Sequence, residues 1–550
     1  MVVPELRPWR AARPHVVRAA NAVRPRLAKA ADVVRPRLGR ATAAVRPRVA
    51  RLAKAVKPQV ARVTRPRPGK TWQYTAGAAG AGLALAFVVV NAAGPWDATG
   101  QRTAERDWAA ARERTGGADH GDGAATASRP RTPKPAPSAA TVLAGLGGED
   151  GTTKAAGSAA GAPTSQALTN VLRPLLGDSA LGAGHAAAVV DVATGKRLYG
   201  SGADDALTPA STTKIATAVA ALSALGADHR FTTRAALEPD TQELVLVGGG
   251  DPTLTARAKS DGWASLRTLA ADTASALKKR GVHKVTLSYD TTLYAGPEVH
   301  PIGVNPNLAP VSALTADEGR TDDSVSGPVT RVSDPAADAA RKFAGFLASH
   351  GVTTTSPGPS KATGRATTLA TVSSPPLSTV VERMLTNSDN DIAEALARQT
   401  AVATGERASF EGGATAIAAQ LKKLGLPLQG ARFNDGSGLN RNDRLTADLL
   451  TALLVKAGAA DHPELRPVLT GLPVAGFTGT LSSRYTDGAA GVVRAKTGTL
   501  TGVNTLAGTV VDQDGRLLAF AFLASGTTDP AAAQSALDRT ATALAGCGCH

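Results

Sequence analysis

Cysteine is almost missing from this chain. Only Cys547 and Cys549 occur in 550 residues, one glycine apart at the C-terminus. That excludes a disulfide-stapled scaffold, so stability has to come from packing, which a chain of this length can supply. Two thiols without a nearby partner set also make a poor zinc site, and the pair reads as part of a solvent-exposed tail. The nine histidines show no metal-ligand spacing, and His185, His229 and His283 stand in no context that would complete a Ser-His-Asp triad. Gly248-Gly249-Gly250 lacks the Gly-Lys-Ser/Thr continuation of a phosphate loop, which argues against nucleotide binding. The sequence therefore calls for no metal and no cofactor.

Surplus positive charge is missing as well, except in one place. The formal net charge is +16, but residues 1–70 hold 19 Lys and Arg against two acidic residues, which leaves residues 71–550 with a net charge of −1. Nucleic acid is accordingly not an expected partner. Within 1–70, Val-Arg-Pro-Arg recurs at 23–26, 34–37 and 45–48, a period of eleven. Each proline interrupts a helical hydrogen-bond ladder, so this arm is expected to be disordered in solution. It suits either contact with anionic lipid or a protein, each cation contributing about 1 kcal/mol at a membrane surface, or a solvated tail that fixes orientation.

From Thr71 to Trp96 no residue is charged, and Leu83 to Val90 forms an apolar centre flanked by Trp72, Tyr74 and Trp96. Residues 71–96 read as a single transmembrane anchor, with the basic arm cytoplasmic and everything after it outside the plasma membrane. A cleaved signal peptide, leaving a secreted protein, is the rival; the long basic leader favours the anchor. Residues 97–163, rich in Ala, Gly, Thr, Ser and Pro, read as a flexible extracellular linker. Order should begin near Gln166, where Leu168, Val171, Leu172, Leu175 and Leu176 recur at helical spacing.

The chemistry-bearing residues follow. Ala186–Val192 and Arg197–Tyr199 flank a turn and predict a hairpin. Pro209-Ala210-Ser211-Thr212-Thr213-Lys214 then opens a helix that stops at Gly226. Three residues make nearly one helical turn, so the Ser211 hydroxyl and Lys214 amine face one cavity. A serine hydroxyl is a weak nucleophile that needs a base in reach, and a lysine serves only if its pKa is lowered. Ser388-Asp389-Asn390 sits between two helical stretches, where it suits an N-cap or a turn projecting into a cleft. Lys496-Thr497-Gly498-Thr499 follows strand-like alternation, with further strands at Thr505–Val511 and Arg516–Leu523. Asp435-Gly436-Ser437-Gly438 reads as a loop that shapes the cleft without taking part in catalysis.

Ser-x-x-Lys, Ser-x-Asn and Lys-Thr-Gly in this order are the signature set of penicillin-interacting serine enzymes. With Val247–Leu254, Asp435–Leu439 and Leu472–Leu481, they make the chain similar to the class C low-molecular-mass penicillin-binding proteins, serine D-alanyl-D-alanine carboxypeptidases/endopeptidases. The resemblance spans about residues 166–545. It implies an α+β, penicillin-binding/β-lactamase-like catalytic domain, an antiparallel sheet flanked by helices, over 164–230 and 371–546. The 173 residues between Lys214 and Ser388 exceed what a compact β-lactamase needs, so one or two small α+β domains are expected over 231–370. The resemblance further implies catalytic roles for Ser211, Lys214, Ser388, Asn390 and Lys496, and substrate contacts from Thr497, Gly498 and Thr499. The expected substrate is the peptidoglycan stem peptide, cleaved through an acyl-enzyme, with β-lactams as covalent inhibitors. A β-lactamase and a non-catalytic sensor of β-lactams or wall fragments are the alternatives; no Glu-x-x-Leu-Asn segment follows Ser388 to activate a hydrolytic water.

Overall fold

The computed structural model describes residues 163–485 and 488–548, so the basic arm, the apolar segment and the linker expected from the sequence lie outside the described residues. Among the described residues no helix is long and apolar enough to cross a membrane.

The chain enters through α1 (Ser165–Leu176), capped by the Thr164 hydroxyl, and its Leu168, Leu172 and Leu176 form the buried stripe that the leucine spacing predicts. The hairpin follows as β1 (Gly184–Asp191) and β2 (Arg197–Ser201). A 3-10 turn, Ala210–Thr212, then feeds α2 (Thr213–Leu225), which Gly226 ends. Every residue of α2 from Thr213 to Leu222 is buried, because the helix runs through the middle of the domain. Its small residues, Ala216, Thr217, Ala218, Ala220 and Ala221, let neighbouring elements approach on all sides.

The chain then leaves the catalytic half to build a second sheet over residues 232–373. β3 (Thr232–Leu237), β4 (Glu243–Val247), α3 (Leu266–Lys279), β5 (Lys284–Asp290), α4 (Pro335–Ser349), β6 (Thr353–Thr354), β7 (Gly358–Pro359) and β8 (Thr367–Ser373) follow in turn. The strand order is β6-β5-β4-β3-β8, with β7 beside β5. β4 and β5 pair in parallel, a pairing that needs a crossover, and α3 supplies it. Leu246, Leu269, Leu277, Leu287, Phe343 and Leu347 form the core of this unit. Between β5 and α4, residues 291–334 carry no regular element beyond a 3-10 turn at Asp317–Gly319. This excursion packs instead against the catalytic half: buried Arg398 donates to Ala295 O (3.0 Å) and Pro297 O (2.7 Å) and lies over the Phe410 ring.

The catalytic half resumes with α5 (Leu377–Asn387), α6 (Asn390–Thr404), α7 (Phe410–Lys423), α8 (Ala447–Gly458), α9 (Pro467–Thr470), β9 (Val493–Leu500), β10 (Val503–Val511), β11 (Leu517–Ser525) and α10 (Pro530–Ala545). Its sheet is antiparallel in the order β2-β1-β11-β10-β9, so the first strand lies beside the last, Gly184 opposite Ser525. Both faces are covered. Ala186, Ala188, Ala519, Ala521 and Leu523 pack toward α2, α5 and α8, whereas Ala187, Val189, Phe520 and Phe522 pack with α1 and α10. Two-sided burial explains why β11 reads as an unbroken apolar run rather than an alternation. Cys547 corrects the expectation of an exposed tail: it is 5 % exposed and belongs to the core formed with α10.

Candidate active site

Ser211 occupies the middle of the 3-10 turn that begins α2. The residue before it, Ala210, has φ 49°, a left-handed backbone that an alanine adopts only when its surroundings impose it. Three contacts do so. The Thr212 hydroxyl donates to Pro209 O (2.7 Å), the Thr505 hydroxyl on β10 donates to the same oxygen (2.8 Å), and Gly438 lies so close that a β-carbon there would stand 1.9 Å from Ala210 O. The sequence marks the serine by its spacing from Lys214; the structure adds that the loop carrying Gly438 and the strand carrying Thr505 clamp the turn that presents it.

Lys214 follows in the first turn of α2 and is fully buried. Its Nζ lies 3.0 Å from Ser211 Oγ, 2.7 Å from Asn390 Oδ1 and 2.7 Å from Ser437 O. Burial strips the ammonium of water and lowers its pKa to about 8, while the carboxylates of Asp435, Glu394, Asp389 and Asp391 pull it partly back up. Lys496 on β9 is also fully buried, its Nζ donating to Thr497 O (2.8 Å). Burial, then the Lys214 and Arg484 cations, hold its pKa well below the usual lysine range.

Ser388 and Asn390 are placed by the two-residue break between α5 and α6. Ser388 ends α5 in a left-handed conformation (φ 58°), and the Asp389 side chain caps α6 by accepting the Ile392 N–H at 3.0 Å. The N-cap reading of this cluster and its projection into the cleft are therefore both realised. Asn390 reaches Lys214, whereas Ser388 does not: the three hydrogen bonds of the Lys214 amine go elsewhere. Ser211, Ser388, Asn390, Thr497 and Thr499 line one cavity of about 290 Å³, together with Asn307, Pro328 and Arg331 of the excursion. Gly498 faces the other way. A β-carbon there would stand 2.1 Å from Thr505 Oγ1 and 2.8 Å from Pro209 O, so glycine is what lets β9 run against the nucleophile turn.

Beyond the predicted catalytic and substrate-binding residues, several others complete the site. Asp435 and Glu394 hold the loop behind Lys214. Glu394 accepts the Gly436 and Ser437 N–H groups at 3.1 and 2.9 Å, and Asp435 accepts those of Gly438 and Asn440 at 2.6 and 2.7 Å. The loop thus does more than shape the cleft, since its Ser437 carbonyl is a partner of the lysine. His300, from the excursion, meets Asp435 Oδ2 at 3.0 Å. Arg331 pairs with Asp391 at 2.9 Å, and Arg320 and Arg383 each pair with Glu318 at 2.8 Å. The triads His300, Glu394, Asp435 and Glu318, Asp389, Asp391 each bring three ligand-type atoms together. Their partners are backbone N–H groups and arginines, which makes them hydrogen-bond and ion-pair networks.

A buried, pKa-lowered lysine within reach of a serine in a cleft is the arrangement expected for acyl transfer. The profile of the D-Ala-D-Ala carboxypeptidase 3 (S13) family matches residues 168–328 and 322–544. Carboxypeptidase DacB of Mycolicibacterium smegmatis is 38% identical over 404 residues, covering 70% of this chain and 85% of the relative. A D-alanyl-D-alanine carboxypeptidase of Actinomadura is 32% identical over 450 residues, covering 65% and 80%. The crystal structure of penicillin-binding protein 4 from Haemophilus influenzae superposes with a TM-score of 0.54 at 22% identity, covering 66% of this chain and 94% of that one, which supports the penicillin-binding fold. With its profile spanning both halves of the catalytic domain and the insertion between them, the chain belongs to the S13 family of D-Ala-D-Ala carboxypeptidases.

Proposed function

We propose that this carboxypeptidase removes the terminal D-alanine of peptidoglycan stem peptides through an ester on Ser211, with Lys214 as the base. The observation that carries this is the 3.0 Å contact between Lys214 Nζ and Ser211 Oγ, in a lysine whose free-base form is accessible near pH 8. The Ser211 proton passes to Lys214 as Oγ attacks the carbonyl carbon of the penultimate D-alanine. The oxyanion faces the backbone N–H groups of Ser211 and Thr499, and loss of one such donor costs on the order of 100- to 1,000-fold. The C–N bond then breaks, the leaving amine takes the proton held on Lys214, with Ser388 lining the cavity where that amine departs, and water hydrolyses the ester. Thr497 and Thr499 line the cavity where the terminal carboxylate would lie, with Lys496 behind them.

Slow hydrolysis of a penicilloyl ester, and with it lasting inhibition by β-lactams, fits the cavity's carboxylates. Asp389 caps α6, and Asp391 is held by Arg331 and the Ala309 N–H, so both are committed to structural partners. Fluorescent penicillin should label the wild type at Ser211, and Ser211→Ala should abolish both labelling and D-alanine release. Labelling that survives the substitution sinks the assignment. The uncharged stretch 71–96 and the basic arm before it support an extracytoplasmic enzyme held on the plasma membrane. Protease shaving of intact cells that leaves residues 163–548 untouched would remove that placement.

A further inference from the structure

Apart from Ser211, both groups that accept from Lys214 are braced by the excursion of residues 291–334. Asn390 turns its Oδ1 to Lys214 because its amide nitrogen donates to Asn307 O at 2.9 Å. Ser437 turns its carbonyl to Lys214 within a loop whose anchor is the Asp435 carboxylate. That carboxylate also accepts from the Ser437 hydroxyl (3.5 Å), faces the buried Asp443 carboxyl, and is hydrogen-bonded to His300. The Ile302 N–H points at His300 Nδ1 (3.2 Å), so the ring proton is on Nε2 and is donated to Asp435 Oδ2 (3.0 Å). The imidazole is 3 % exposed as a residue and packs edge-to-face on Phe410, with ring centroids 5.0 Å apart.

We propose that His300 is a positioning residue for acylation: acting through Asp435 and the Ser437 carbonyl, together with the Asn307–Asn390 contact, it fixes the rotation of the Lys214 amine. A neutral amine has two N–H bonds and one lone pair, arranged tetrahedrally. With its N–H bonds on Asn390 Oδ1 and Ser437 O, both at 2.7 Å, the direction left for the lone pair is Ser211 Oγ at 3.0 Å. The insertion would then serve the base as well as bounding the cleft. Lys214 is faced by Asp435, Glu394, Asp389 and Asp391, and Lys496 by Lys214 and Arg484; His300 is faced by Asp435 and, at 4.0 Å, by Glu394.

The inference rests on Lys214 as the base for Ser211, and single-turnover acylation of the full chain by fluorescent penicillin between pH 6 and 10 tests it. The amplitude counts folded, competent enzyme, and the rate reports the chemistry. His300→Ala should keep its amplitude while its high-pH rate falls by about 10- to 100-fold, the loss expected from a misplacement near 1 Å. Its pH midpoint should move down, because the protonated amine loses an aligned acceptor. His300→Gln, which keeps a donor at the Nε2 position, should recover most of the rate. A loss of amplitude with wild-type rate and midpoint in the remaining population means a folding role only and overturns the proposal, as does an unchanged rate. If His300→Ala yields no folded protein, His300→Leu, which fills the space without the donor, is judged by the same outcomes. Peptide mapping separates the two levels. An adduct away from Ser211 defeats the base assignment itself, whereas a Ser211 adduct with wild-type kinetics in the variant defeats only the role of His300.

Discussion

Substituting Gly498 by alanine adds a single carbon at the tightest crossing in the site. The new β-carbon would lie 2.1 Å from Thr505 Oγ1, 2.8 Å from Pro209 O and 3.1 Å from Ala210 Cβ. Comfortable contacts need about 3.5 Å, so the shortfall is about 1.4 Å at the hydroxyl and about 0.7 Å at the carbonyl. The Thr505 hydroxyl can rotate away, but only by giving up its 2.8 Å bond to Pro209 O, and the proline carbonyl has no rotation available. Relief therefore requires β9 and the nucleophile turn to part by roughly 0.5–1 Å. That carries Thr497 and Thr499 off the Ser211 side of the cavity. Overpacking of this kind costs about 1–3 kcal/mol of stability, and a misplacement near 1 Å costs on the order of 100-fold in rate. The penicillin acylation rate and the melting temperature together read both effects. Gly498→Ala combined with Thr505→Ala removes the hydroxyl conflict but leaves the carbonyl, so it should stay at least tenfold slow if backbone separation is the cause. A Gly498→Ala enzyme that acylates within twofold of wild type and melts at the same temperature refutes the reasoning.

Two further outcomes follow from charge. A base with a pKa near 8 gains its free form about tenfold per pH unit below that value, so the wild-type acylation rate should climb from pH 6 and level off above about 8; a flat profile from pH 6 to 8 contradicts Lys214 as the base. Arg331→Met leaves Asp391 buried without its cation, which should cost about 3–5 kcal/mol by chemical denaturation. Burial already raises the Asp391 pKa, to about 7, above the unfolded value. The folded state therefore holds the proton more tightly than the unfolded chain, and stability is lost as pH rises through that range. The variant should suffer less at pH 5 than at pH 8, and equal losses at both would rule this account out.

What the sequence disclosed and what it hid divide along a physical line. Ser211 and Lys214 are three residues apart on one helix, so their meeting is a local fact of helical geometry. The strand that leads into Lys496 alternates, and the strands after it are rich in β-branched or apolar residues, patterns that need no knowledge of partners. His300, Asn307 and Arg331 lie in a stretch with no period, where nothing local distinguishes a residue that crosses to the catalytic half from one that faces water. Glu394 did leave a trace, as an acid flanked by Ile392, Ala393, Ala395 and Leu396 on a helix that is buried almost throughout. The glycines 248–250 could be excluded as a phosphate loop but not explained. A β-carbon at Gly249 would stand 1.9 Å from Thr232 O and one at Gly248 2.5 Å from Ala313 O, so they are small because the excursion and β3 press against them.

The sheet order has a consequence for the order of synthesis. β1 is hydrogen-bonded along its length to β11, more than 300 residues later, and β11 is the centre strand between β1 and β10. A nascent chain that has already made Ser211 and Lys214 still has no sheet for them to rest on until residue 525 has emerged. Pairings this distant in sequence are slow to form, so the second sheet, whose strands all lie within residues 232–373, can be complete while the catalytic half is still open. Loss of even the last few dozen residues would remove the central strand, leaving the nucleophile intact in sequence and inert in fact.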